Sequence, residues 1–137
     1  MTTMTRISKP IVCAESIASA AHLAEQLGEP VIHPVRLFTD DRGWSMMNQF
    51  QDVLSKQGQV NYSLQYPGVI KAWHRHARQT DFWLCVRGMM KVGIHRQHAG
   101  DQAWMAIVGE MSPSVVVIPP TLWHGVATIG NEPAGLL

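Results

Sequence analysis

From Val31 onward the apolar positions come in short runs broken by Gly, Pro and Asp: VIHPVRLF, WSMMNQF, QVNYSLQY, VIKAWHRH, DFWLCV, MMKVGIH, AWMAIV, VVVI and WHGVATI. β-branched and aromatic residues dominate these runs, so each predicts a strand. Many short strands at regular spacing predict an all-β fold, a small barrel of two packed antiparallel sheets. QHAGDQ at 97–102 reads as a hairpin loop. The texture before Pro30 differs. Residues 11–28 predict one helix: Ser8 caps it, Pro10 suits its first turn, alanines fill its body and Gly28 ends it. Its stripe of Ile11, Ala14, Ile17, Ala18, Ala21 and Leu27 is weak. The only boundary falls near Gly28-Glu29-Pro30, giving an N-terminal helical arm over 1–30 and a β domain over 31–137.

With 137 residues and 46% apolar content, the chain suits one domain with a real core. Eleven Lys+Arg against ten Asp+Glu leave a formal charge of +1, so no broad basic surface argues for nucleic acid or an anionic membrane. An anionic ligand must be met by a few local cations. Cys13 and Cys85 match no metal-ribbon or CxxC spacing, and a reducing cytoplasm is the expected setting. Arg6 and Lys9 ahead of IVCAESIASAA resemble an export signal, but Glu15 and the short apolar run argue against one. The longest β-branched run, VVVI, stops at Pro119-Pro120, far short of a membrane span.

The candidate chemistry lies in HRHARQTD at 74–81. Side chains at i and i+2 on a strand share a face, so His74 and His76 are expected to project together with Ala72, while Trp73 and Arg75 point away. Imidazoles suit iron, zinc, nickel and copper, and Asp81 adds a carboxylate from the next strand. His124, heading WHGVATI after the double proline, is placed to join them. A His-x-His pair on an edge strand is also compatible with plain solvated surface, though the further spacing of Asp81 and the glycines favours a site. Five tryptophans are many for this length and suit core, an interface or a ring-binding wall. Of Met46-Met47 and Met89-Met90, one of each pair should face inward. His22, His33, His95 and His98 lack spaced partners and read as surface or satisfied strand groups.

Gly68, His74, His76, Asp81 and Gly88 stand as G-x5-H-x-H-x4-D-x6-G, which resembles the first cupin motif with aspartate in place of its glutamate. The stretch from Gly109 through Pro119 to His124 resembles the second motif, with Thr121 at its glycine position. Together these cover roughly residues 31–135. DDRG at 40–43, GVIKAWHRH at 68–76, VRG at 86–88 and IPPTLWHGV at 118–126 are similar, in the same order, to segments of dTDP-4-dehydrorhamnose 3,5-epimerases. That resemblance implies a jelly-roll cupin and an isomerase acting on a keto-sugar nucleotide or related keto substrate. It makes His74 the proton-abstracting base, puts His124 in the same pocket, and sets Lys71 and Arg42 against phosphates. Tyr66 would reach the pocket rim from the preceding strand.

The chain departs from that family where His76 replaces a glutamine, and the family's tyrosine acid and aspartate, both placed after the His-Gly-Phe segment, find no match after His124. The extra imidazole opens a second reading, a metal-dependent cupin whose His74, His76, Asp81 and His124 hold one divalent transition metal, iron, zinc, nickel or manganese. Under it His74 is a ligand and not a free base. A third reading is a non-catalytic binding cupin that would tolerate His74→Gln. A homodimer is expected in each case, since related cupins pair and the apolar strands exceed the needs of one small barrel.

Overall fold

The computed structural model describes residues 5–47, 49–50, 52–55, 58–97 and 101–137. Two large sheets and one helix make up the domain. In chain order the elements are β1 (Ile7–Ser8), β2 (Ile11–Val12), α1 (Ile17–Leu27), β3 (Val31–Pro34), β4 (Phe38–Asp40), β5 (Gly43–Ser45), β6 (Ser63–Gln65), β7 (Ile70–His74), β8 (Asp81–Arg87), β9 (Met89–Arg96), β10 (Gln102–Gly109), β11 (Ser114–Ile118), β12 (Trp123–Ile129) and β13 (Ala134–Leu136). Sheet I has the order β1-β10-β9-β12-β7 and sheet II the order β2-β3-β11-β8-β13-β6, while β4 and β5 form a separate hairpin.

The jelly-roll-like layering follows the expected pattern, with two corrections. No ladder joins the sheet edges among the described residues, so the barrel stays open. The sheets are not wholly antiparallel either, because β1 runs parallel to β10 and β2 parallel to β3.

Alternation sets the interior. Met90, Val92 and Ile94 of β9, Trp104, Ala106 and Val108 of β10, and Val126 of β12 turn inward from sheet I to meet Cys85, Val116 and Ile118 of sheet II. VVVI in β11 shows no alternation because both of its faces are covered. Val116 packs between the sheets, whereas Val115 and Val117 pack outward under α1 beside Leu84. The methionines divide as expected: Met90 and Met46 join the core, and Met47 is exposed.

The helix is shorter than the sequence suggests. Residues 11–12 pair with β3 instead of opening a helix, and the cap is Ser16, not Ser8, its hydroxyl accepting from the Ser19 N–H at 3.0 Å. Gly28, at φ 62°, closes the other end in the left-handed conformation that glycine adopts freely. Ile17, Ala20 and Ala24 are buried on sheet II, and Arg96 of sheet I donates to the Gly28 carbonyl while lying over Trp104. Of the expected run WSMMNQF only Trp44 and Ser45 are strand, the end of β5, with Asn48 outside the described residues. Residues 98–100 of the expected 97–102 loop, and His98 with them, also lie outside. No helix among the described residues is long and apolar enough to cross a membrane.

Candidate active site

Three strands build the site. β7 is the edge strand of sheet I, and its pairing with β12 sets His74 opposite His124 and Lys71 opposite Val126. Paired residues share a face, so His74 and Lys71 point to the inward side of the sheet, where the edge position leaves both exposed to solvent. The register slips between His124 and Val126. Trp73 turns to the outer face and meets His95 edge-on at 5.1 Å, as expected, whereas Ala72 packs against Gly125 and does not follow His74.

His124 is buried, 2% exposed, and packed edge-on against Trp83 at 5.0 Å. Its Nδ1 lies 2.9 Å from the Leu122 carbonyl, an acceptor only, so Nδ1 carries a proton and donates it there. Nε2 points at Asp81 Oδ2, 3.2 Å away, but makes no directed hydrogen bond. In a neutral ring that atom offers a lone pair to an oxygen that also carries lone pairs. The approach is favourable only with a proton on Nε2 or a cation between the two.

Asp81 Oδ2 is shared, with His76 Nε2 3.3 Å away, and Gln79 donates to Oδ1 at 2.5 Å. Burial opposes ionisation of Asp81. The close approach of His124, the Gln79 amide and the charges of both imidazoles outweigh it and hold this carboxyl below its ordinary range. The ligand atoms of His76, Asp81 and His124 all lie within 4.8 Å of one another. A backbone bond from the Thr121 N–H to the His76 carbonyl, 2.7 Å, ties the loop before β12 to the end of the His-x-His stretch.

A cavity of about 770 Å³ opens beside this cluster. His76, Gln79, Thr80 and Asp81 form its polar wall, and Phe50, Val53, Leu54, Val60, Phe82 and Trp83 its apolar one. That volume and mixture suit a ring-containing small molecule.

The structure therefore brings together His76, Asp81 and His124 and leaves His74 outside that triad, its ring centroid 6.5 Å from that of His124. A four-ligand set that includes His74 does not form here, because His74 sits on the exposed edge strand rather than at the buried junction. Arg42 lies on the β4–β5 turn, where it is exposed and paired with the Asp40 carboxylate at 2.6 Å. Tyr66 is exposed in the turn before β7, and neither it nor Arg42 lines the cavity. Sequence reasoning missed Gln79 and the wall supplied by Phe50, Val53, Leu54 and Val60. Gln79 carries no spacing signal beyond standing two residues before Asp81.

A family model described as the polysaccharide biosynthesis C-terminal domain matches residues 38–136. The chain belongs to that family. The chain is 41% identical over 81 residues to the probable low-salt glycan biosynthesis epimerase Agl13 of Haloferax volcanii, a match covering 56% of this chain and 52% of that protein. It thus spans about half the length of that relative. It is 30% identical over 105 residues to the spore coat polysaccharide biosynthesis protein SpsL of Bacillus subtilis, covering 72% of this chain and 70% of that one. Among solved structures, the dTDP sugar isomerase of Desulfovibrio desulfuricans G20 superposes with a TM-score of 0.70 at 21% identity, over 78% of this chain and 73% of that one. At that identity the likeness establishes the shared cupin-like fold of this polysaccharide biosynthesis domain.

Proposed function

We propose that this domain is an isomerase of the epimerase type, acting on a nucleotide-linked keto sugar or a closely related keto substrate. The observation that carries the reading is His74: a solvent-reachable imidazole on the inward side of an edge strand, beside Lys71 and facing the His124–Asp81–His76 cluster. In the reaction the C–H bond next to the ketone breaks, its proton passes to His74, and its electron pair moves into the carbonyl to give an enolate oxygen. Lys71, or His124 protonated on Nε2, stabilises that oxygen, and return of a proton to the other face of the carbon inverts it. The apolar wall with Trp83 would receive the sugar ring, and Lys71 is the candidate cation for a diphosphate.

A second reading rests on a separate observation. The unbonded, buried Nε2 of His124, with His76 Nε2 and the Asp81 carboxylate close by, is a two-imidazole, one-carboxylate donor set, which fits a divalent transition cation such as iron, zinc, nickel or manganese. His76, Asp81 and His124 would hold it, and Nδ1 of His124, already donating to Leu122, would orient the ligand. Such a cation supplies a Lewis acid for a substrate carbonyl. In this arrangement His74 stays free, so the base and the metal site no longer compete for one residue.

The test is solvent deuterium exchange into a nucleotide-linked 4-keto sugar, followed by NMR, with elemental mass spectrometry on untagged protein. Exchange at the carbons beside the ketone that disappears in His74→Gln supports the isomerase. Absence of exchange by wild type, with or without added metal, removes that reading and leaves a binding domain. Near one equivalent of metal, lost in His76→Gln but retained in His74→Gln, supports the three-ligand centre.

A further inference from the structure

Residues 75–80 carry the chain from β7 of sheet I to β8 of sheet II, past the cavity. One end is pinned where the Thr121 N–H meets the His76 carbonyl, the other where Asp81 pairs with Ile118. Between these pins Gln79 and Thr80 line the cavity. The Thr80 hydroxyl lies 3.1 Å from Glu25 Oε1, on a side chain of α1 55 residues earlier in the chain. The helix that holds Glu25 is firmly seated, with Ile17, Ala20 and Ala24 buried on sheet II. Glu25 stands in the last helical turn, where a negative charge opposes the helix dipole, and no basic residue in that turn offsets it. Helix formation therefore gives no reason for a carboxylate at this position. The helix also lies outside residues 38–136, the part of the chain that matches the family.

We propose that Glu25 is a positioning residue of the cavity, holding Thr80 so that its oxygen accepts a hydrogen bond from a hydroxyl of the bound sugar. This assignment rests on the keto-sugar reading of the cavity. A carboxylate only accepts, so the one hydroxyl proton of Thr80 is spent on Glu25. Lone pairs are what Thr80 has left for an occupant, and donation to a charged partner makes that oxygen a better acceptor. Gln79 likewise commits an amide N–H to Asp81 Oδ1, and the Asp81 carboxylate is itself an acceptor. This stretch of wall thus favours a group that brings its own proton, a sugar hydroxyl rather than a carbonyl or phosphate oxygen. The branched Cβ of Thr80 restricts its χ1, so a single bond is enough to select one rotamer. Because the Thr80–Glu25 bond lies at the surface, its removal leaves the fold intact. Neither residue takes the proton that His74 removes, so both act through binding and not through chemistry.

Two ligands separate binding from turnover: dTDP-glucose, which has no ketone, followed by calorimetry, and a nucleotide-linked 4-keto sugar, followed by deuterium exchange. Thr80→Val, which keeps the shape and loses the hydroxyl, is expected to raise Kd for the first and KM for the second about fivefold, the scale of one hydrogen bond, with kcat nearly unchanged. Thr80→Ser keeps wild-type values. Glu25→Ala is expected to raise Kd about threefold with an unchanged melting temperature, whereas Glu25→Gln, whose side-chain carbonyl still accepts, stays near wild type. The double variant Glu25→Ala/Thr80→Val should bind no worse than Thr80→Val, because Glu25 acts only through that hydroxyl. Three-bond couplings across Thr80 χ1, measured by NMR without ligand, should show one rotamer in wild type and averaging in Glu25→Ala. Full additivity in the double variant, or couplings indifferent to Glu25→Ala, overturns the positioning role. A Thr80→Val protein that binds dTDP-glucose as wild type does, or a wild type that fails to bind it, overturns the sugar contact. The expected Kd pattern without exchange by wild type upholds the pair and removes only the isomerase.

Discussion

His74 and His124 face each other from neighbouring strands of one sheet, yet they occupy different solvents. His124 is enclosed by Trp83, fixed through Nδ1 to the Leu122 carbonyl and aimed at Asp81. His74, at the rim, is exposed and belongs to no cluster. Identical side chains a strand apart thus take opposite roles. The interior imidazole is preorganised, which suits a ligand or a charge stabiliser, while the rim imidazole is open to an incoming substrate, which suits a base. The interior and the rim should therefore respond to substitution in different currencies, folding for one and turnover for the other.

His74→Gln gives the sharpest break. Exchange next to the ketone is expected to fall by about 10²–10⁴-fold, the usual contribution of a positioned base. The urea midpoint should hold within about 0.5 kcal/mol, as for other exposed substitutions. An equal loss of stability would mean that the rim residue is structural after all. His124→Ala should reverse this pattern in part. Removing a buried partner of Asp81 is expected to cost about 1–3 kcal/mol of stability as well as activity, measured by the same urea titration.

Cys85 extends the comparison to chemistry away from the site. Burial, with the nearby negative charge of Glu110, outweighs the backbone hydrogen bond from Arg87 that favours the thiolate, and pushes the thiol up to about 11 from an ordinary 9.0. The folded state therefore keeps the proton that the unfolded chain releases first. This contribution is complete below pH 9.0 and is lost as pH rises toward about 11. A stability profile across that window should fall for wild type and flatten for Cys85→Ala. Cys85 should also resist alkylation at neutral pH until the chain unfolds.

The smallest effect is expected from Gln79→Ala. Loss of one donor lets the Asp81 pKa rise toward its ordinary value. A depressed carboxyl stabilises the fold above its unfolded pKa and loses that contribution as pH falls through the folded value, so the acid limb of the variant should move to higher pH. Turnover should change only a few-fold. A change as large as that of His74→Gln would show that Asp81 orientation, and not the rim base, limits the reaction.

The interior was easier to read from sequence than the rim. Strands β7 to β12 announce themselves because β-branched and aromatic residues there alternate or, as in VVVI, run unbroken under cover on both faces. Spacing points to His74, His76 and Asp81, and the double proline ahead of WHGVATI brings in His124; three of the four meet, and His74 stays at the rim. The N-terminus misled because alanine-rich residues favour a helix locally, while Ile11 and Val12 gain more by pairing with β3. β13 escaped notice because its signal is not local: Gly135 is needed there so that Tyr62 can pack on the strand. Arg42 looked like a ligand contact on motif likeness, but its pairing with Asp40 two residues away depends on a hairpin that no periodicity specifies.

The bond from the Thr121 amide to the His76 carbonyl carries a consequence for how this segment is able to diverge. It joins two loops distant in sequence at a fixed point, just before one imidazole and just after another. Thr121 itself sits at φ 76°, where glycine would be more relaxed, so residue type is evidently negotiable at this turn. Residue number is not. One insertion between Pro119 and His124 would break the bond and rotate β12 by one position, turning His124 outward and Trp123 in. The segment is thus a ruler, free to change its markings but not its length.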